Sequence, residues 1–201
     1  MDKKTQTIQT YSQSAQALAE KFDRLGARTS DIEEVFALLS KDDPRVLEIG
    51  CGNGRDAEVI HAKTNAYLGI DASEGLVALA QTKVPDAKFQ VADVETYVFP
   101  SGLDAVFAFA SLIHSPKEVL RDVFVKIFDA LNPGGLFRLS MKCSDVYREV
   151  TKQDEFGTRT YYHYSPEDLV GLDSRFVVLK CVTQEYQNQT WVEVLLQKPK
   201  A

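Results

Sequence analysis

Three glycines at alternate positions, Gly50, Gly52 and Gly54, follow the apolar run Val-Leu-Glu-Ile that ends at Ile49. Glycine has no Cβ, so such a loop reaches positive φ and lets a ligand come up against its main chain. A helix is expected at once after it, from Gly54 to Ala62, and its free N–H groups would carry roughly half a positive charge toward that ligand. Two acids lie further on. Asp71 closes the run Tyr67-Leu-Gly-Ile about twenty residues after the loop, where a carboxylate bonds the hydroxyl pair of a ribose in nucleotide-binding folds. Asp93 follows Val91-Ala92 at the tip of the next apolar run, placed to accept a hydrogen bond from an adenine amino group. A dinucleotide fingerprint needs Gly-x-Gly-x-x-Gly, and the spacing here weakens a nicotinamide dehydrogenase.

The elements that must hold these residues alternate along the chain. Strands are expected at Arg45–Ile49, Ala66–Ile70, Lys88–Ala92, Leu103–Ala110 and Gly135–Met141, with helices at Gly54–Ala62, Ser73–Thr82 and Ser115–Leu131 between them. The last helix shows the strongest signal, because Leu120, Val123, Phe124, Ile127, Phe128 and Leu131 draw one apolar stripe at helical spacing. Its start, Ser115-Pro-Lys-Glu118, reads as a capping hydroxyl, a proline in the first turn and a glutamate three residues after the cap. Asn132-Pro-Gly-Gly135 stops it. Ahead of the first strand, Thr7 to Arg24 reads as one amphipathic helix stopped by Gly26, and Ser30 as the cap of a second. Behind the last strand, Ser165-Pro-Glu-Asp168 opens a short helix, and Arg175–Thr183 and Trp191–Gln197 form a hairpin. Repeated βα units imply α/β class: a doubly wound, mostly parallel seven-stranded sheet with helices on both faces and an antiparallel C-terminal hairpin. A single domain over 1–201 is expected, with an N-terminal helical lid (1–43), a cofactor-binding core (44–142) and an acceptor-side segment with the hairpin (143–201).

Composition fits one soluble domain and excludes little else. Of 201 residues, 44% are hydrophobic and 26% charged, and a formal net charge of −6 disfavours a broad phosphate-binding surface. No apolar run is long enough to span a bilayer, and the polar start lacks a signal core, so a cytoplasmic protein is expected. Cys51, Cys143 and Cys181 are far apart and lack His partners at metal spacing, which reads as free thiols and no metal site.

Together the stretches VLEIGCGNGR, GIDAS, VADVE, LDAVFAFASLIHSP and LNPGGLFRLSMK resemble the class I, Rossmann-like S-adenosylmethionine-dependent methyltransferase family, in order and spacing from Tyr11 to Gln197. The resemblance implies S-adenosyl-L-methionine as cofactor. Glu48 would match the acid that helps hold its methionine end, beside the loop Gly50, Cys51, Gly52, Asn53 and Gly54. Asp71 would take the ribose hydroxyls with Ala72 beside the adenine. Asp93 would bond the adenine amino group, between Ala92 and Val94, and Ala110 and Ser111 would pass near the sulfonium. Arg55 is placed to pair with the cofactor carboxylate.

No catalytic residue follows from the pattern. Tyr11 lies in the leading helix, which covers the cofactor in similar proteins, or it simply packs. His114 is a base near neutral pH or a helix-start packing residue. Within Arg159–Tyr164, Tyr162 and His163 are acceptor-side candidates against a strand with one buried face, and Trp191 reads as core. The expected acceptor is a small molecule, methylated by in-line displacement. Nucleic acid is disfavoured, because Ser111-Leu-Ile-His-Ser-Pro116 lacks the Pro-Pro-aromatic motif of base-modifying relatives. A protein acceptor and a catalytically silent cofactor-binding module are the alternatives, and oligomeric state is not legible.

Overall fold

The computed structural model describes residues 1–200; Ala201, the last residue of the expected domain, lies outside them. In chain order the elements are helices α1 (Lys3–Gln13), α2 (Ala15–Leu25) and α3 (Thr29–Leu38), strand β1 (Val46–Ile49), α4 (Ala57–His61) and β2 (Tyr67–Asp71). Then come α5 (Glu74–Lys83), β3 (Lys88–Val91), β4 (Leu103–Phe109), α6 (Lys117–Ala130) and β5 (Leu131–Lys142). The chain closes with β6 (Arg148–Asp154), β7 (Gly157–His163), α7 (Pro166–Val170), β8 (Val177–Tyr186) and β9 (Gln189–Gln197). A 3₁₀ turn, Leu112–His114, sits between β4 and α6.

Seven strands form one sheet in the order β3-β2-β1-β4-β5-β9-β8. The first five run parallel, β9 pairs antiparallel with β5, and β8 pairs antiparallel with β9. The chain reverses its direction of winding between β1 and β4, the position where an open α/β sheet leaves a crevice at the carboxyl ends of its strands. Alternation along each strand divides the core. Leu47, Val106, Ala108, Leu139 and Met141 face a layer with Leu120, Val123, Phe124 and Ile127 of α6. Val46, Ala105, Phe107, Leu136 and Leu195 face Ile32 and Val35 of α3 and Ala57 and Ile60 of α4. Each of the Val, Leu, Ile, Phe and Met side chains among them gains about 1.5–3 kcal/mol from full burial, so the sheet holds both layers firmly.

Four expectations change. The leading helix is two, broken at Ser14, whose hydroxyl turns away to donate to the Phe156 carbonyl. The helix after the glycine loop begins at Ala57, because turns occupy the intervening residues. Ser115 makes no cap bond; its N–H is taken by Leu112 of the 3₁₀ turn, and α6 starts at Lys117. Within the acceptor-side segment, the strand reading of Arg159–Tyr164 is realised as β7, which pairs with an unexpected strand, β6, in a separate two-stranded ribbon. Ser165 does cap α7, accepting from Asp168 N at 3.0 Å, and Gly26 ends α2 with φ +74°. Among the described residues no helix is long and apolar enough to cross a membrane.

Candidate functional site

A cleft of about 840 Å³ opens where β1 and β4 end, near the upper end of the roughly 300–1,000 Å³ of small-molecule sites. Its floor is the glycine loop. Gly50 (φ +73°) lies so close to Ser111 that an added Cβ would stand 2.1 Å from the Ser111 Cβ. Ser111 Oγ in turn donates to the Ile49 carbonyl at 2.6 Å, which fixes the ends of β1 and β4 together. Gly52 (φ +55°) is different: an added Cβ would meet nothing within 4 Å, so its bare Cα faces open space. That is the opening a ligand lying against the main chain requires.

Asp71 stands at the end of β2 and accepts from Gly52 N at 3.0 Å and Ser73 N at 2.8 Å. Burial nonetheless moves its pKa upward. A carboxylate has about four lone-pair sites, so two backbone bonds leave capacity for two hydroxyls. Asn53 donates to Asp23 Oδ1 at 2.9 Å and ties the loop to α2. Arg55 lines the cleft but pairs with Asp56, whose Oδ1 also accepts Arg28 N at 2.8 Å. Ala72, Ala92, Asp93 and Val94 line the β2–β3 side. Asp93 pairs with Lys4 of α1, which reaches Glu95 as well at 2.9 Å. Cys51 and Ala110 complete this part of the wall. Ala110 has φ +51°, a conformation that costs a non-glycine residue about 1–3 kcal/mol and concentrates at functional sites.

The roof comes from elements distant in sequence. Thr10 of α1 donates from its hydroxyl to the Thr158 carbonyl at 2.8 Å, and Thr160 N donates to Thr7 Oγ1 at 3.1 Å, so α1 lies along β7. Tyr11 is thereby brought to His114, 2.9 Å from hydroxyl to Nε2. His114 Nδ1 lies 2.5 Å from the Thr160 carbonyl, which can only accept. Nδ1 therefore carries the proton, Nε2 accepts, and the Tyr11 hydroxyl donates. Burial pulls the His114 pKa down to about 4, so the ring is neutral. Tyr161 packs against it with ring centroids 4.9 Å apart.

Four of the residues singled out from the sequence lie off the cleft lining. Glu48 is 2% exposed beneath the loop and accepts from the Tyr67 hydroxyl at 2.5 Å. Burial first, and the nearby Asp56 charge second, push its pKa up to about 8. Gly54 (φ +81°) packs on α5, where an added Cβ would come within 3.1 Å of Ala80 Cα. Tyr162 points to the other face of β7 from Tyr161, because strand side chains alternate, and stacks on Tyr147. His163 is buried away from the cleft, its Nε2 without a partner. Conversely, Lys21, Lys142, Lys152 and Trp191 do line it. Lys142, a cation ending an apolar strand, was the one signal for them in the sequence.

The fold and this crevice define a doubly wound α/β protein with a ligand cleft at its switch point. Residues 46–135 match a family described as a methyltransferase domain. The trans-aconitate 2-methyltransferase of Escherichia coli O157:H7 is 33% identical over 139 residues, covering 67% of this chain and 54% of that protein. The chain thus spans about half the length of the curated relatives it matches. A methyltransferase structure from Methanosarcina mazei superposes with TM-score 0.72 at 20% identity, covering 83% of this chain and 97% of that one. The 1,6-didemethyltoxoflavin-N1-methyltransferase of Burkholderia thailandensis gives 0.71 at 16%, covering 96% and 87%; that crystal contains 1,6-didemethyltoxoflavin and S-adenosylhomocysteine. Residues 46–135 are thus a methyltransferase domain, and the chain has the fold of S-adenosylmethionine-dependent methyltransferases.

Proposed function

We propose that the chain binds S-adenosylmethionine in this cleft and transfers its methyl group to a small molecule by in-line displacement. The observation that carries the reading is the bare Gly52 Cα facing open space, with Asp71 bonded to the same residue's N–H. When bound, the cofactor supplies a methyl group already activated by a positive sulfur. What remains for the protein is to bind, orient and exclude water, worth roughly 7–11 kcal/mol when the reacting atoms are well aligned.

Asp71 offers its free lone pairs to a ribose, and Asp93, flanked by Ala92 and Val94, faces the adenine side. Gly50, Cys51 and Gly52 present main chain to the methionine end, with Arg55 near its carboxylate. Glu48 serves from below, holding Tyr67 and the strand end rather than touching the ligand. Helix α1 acts as a lid, and Tyr11, aimed by the neutral His114, is a positioning residue on the acceptor side. Small-molecule acceptors are also what the names of the E. coli and Burkholderia proteins carry.

Calorimetry with S-adenosylhomocysteine tests this. Binding is expected, with stability raised by about 2.7 kcal/mol at one hundred times the dissociation constant, and NADH is expected to do nothing. Asp71→Ala should weaken binding at least tenfold, about 1.4 kcal/mol. Absence of binding, or unchanged affinity in that variant, sinks the assignment.

A further inference from the structure

One wall of the cleft carries cations that no acid answers. Lys142 at the end of β5, Lys152 of β6 and Lys21 of α2 all line it, and none forms an ion pair among the described residues. The acids lining the rest of the cleft are already engaged. Lys4 takes Asp93 and Glu95, Arg55 takes Asp56, Arg28 takes Asp31 and Glu193, and backbone N–H groups take Asp71.

The cations are also set against one another. Lys152 stands directly opposite Arg159 across the β6–β7 ribbon, where like charges repel. Asp154 pairs with Arg159 and with no other cation. The Lys142 ammonium lies 4.0 Å from the centre of the Tyr161 ring and 6.0 Å from that of Trp191, its partner across β5–β9. Burial, followed by the charges of Lys152, Arg159 and Lys21, draws its pKa down to about 8. Placing uncompensated positive charge in a half-buried wall costs free energy, which an anion bound there removes. The chain as a whole has a formal net charge of −6, so this wall runs against the composition.

We infer that the methyl acceptor carries an oxyanion, a carboxylate or a phosphate, which seats on Lys142 and Lys152 beside the Tyr161 ring. This rests on the cofactor reading above, which fills the glycine-loop side of the cleft and leaves this wall to the acceptor. Lys142 is then a specificity-determining residue that rejects neutral analogues of the acceptor.

The test uses the full chain saturated with S-adenosylhomocysteine, titrated calorimetrically with tricarballylate in one arm and inorganic phosphate in the other. At least one ion is expected to bind, and the arm that binds tells carboxylate from phosphate. Lys142→Met should weaken that ion tenfold or more while affinity for S-adenosylhomocysteine stays the same. Should Lys142→Met fail to fold, the exposed Lys152→Gln serves, with at least a threefold loss expected. If neither ion binds, or if the folded lysine variants bind as the parent does, the inference fails and the cofactor reading stands. If S-adenosylhomocysteine itself does not bind, both fail together.

Discussion

The Tyr11 hydroxyl donates to His114 Nε2 across 2.9 Å, joining the first helix to the turn that follows β4. The bond fixes the imidazole's tautomer, because the Thr160 carbonyl occupies the other nitrogen. With its pKa pulled down to about 4 by burial, His114 is a weak base and an effective acceptor.

Nitrogen NMR of the labelled histidines should therefore show His114 neutral, protonated at Nδ1, and unchanged from pH 8 to pH 5. Between its ordinary 6.5 and about 4 the unfolded chain takes up a proton that the folded chain refuses. The histidine's contribution to stability is thus complete above pH 6.5 and is lost as pH falls toward 4. Titration of this ring near 6.5 would contradict the buried arrangement. Tyr11→Phe removes the donor, leaves a buried acceptor unpaired and should cost about 1–3 kcal/mol in denaturant unfolding.

Two neighbouring glycines should fail in different ways. Gly50→Ala forces a Cβ to 2.1 Å from that of Ser111 and keeps φ at +73°, so the loss is in folding, about 2 kcal/mol or more. Gly52→Ala meets no protein atom within 4 Å, and its φ of +55° costs only about 1–2 kcal/mol. Its larger effect should be on affinity for S-adenosylhomocysteine, reduced at least tenfold. Equal losses of stability and binding in the two variants would show that the loop does not separate these roles.

The sequence made the parallel core legible because its strands are short, apolar and separated by turn residues. Expected and observed strands agree within a residue or so at β1, β2, β3 and β4, and α6 differs at each end by one or two residues. The β6 strand, Arg-Glu-Val-Thr-Lys-Gln-Asp, was invisible for a physical reason: nearly every residue on it is exposed, so neither face needed to be apolar. That omission carried others with it. Without β6 nothing joins Lys152 to the cleft, and a strand over Arg159–Tyr164 with no partner leaves open which of Tyr161 and Tyr162, one step of alternation apart, faces it. Trp191 read as core because its neighbours are; it is half-exposed because its partner across the sheet, Lys142, opens onto the cleft. The motif alone places Glu48 near the ligand, and only the Tyr67 hydroxyl, from an adjacent strand, reveals that it is turned inward.

Glu48 gives a pH signature of opposite sign to that of His114. Its pKa rises from 4.5 to about 8 on folding, so the folded chain holds a proton that the unfolded chain has released. Its contribution is complete below pH 4.5 and is lost as pH climbs through 8. Glu48→Gln keeps the shape without the charge. Its melting temperature relative to the parent should rise from pH 6 to about pH 8 and level off above that, and a difference that stays flat throughout would show that Glu48 is already ionised in the fold.

Lys4 grips Asp93 and Glu95 at the tip of β3, on the strand end where the purine is assigned to sit. On the proposed reading the Asp93 carboxylate would serve both Lys4 and the adenine, which its roughly four lone-pair sites allow. A single ammonium group ahead of the first strand thus ties the leading helix to the tip of β3, and salt that screens it should loosen that end of the roof first.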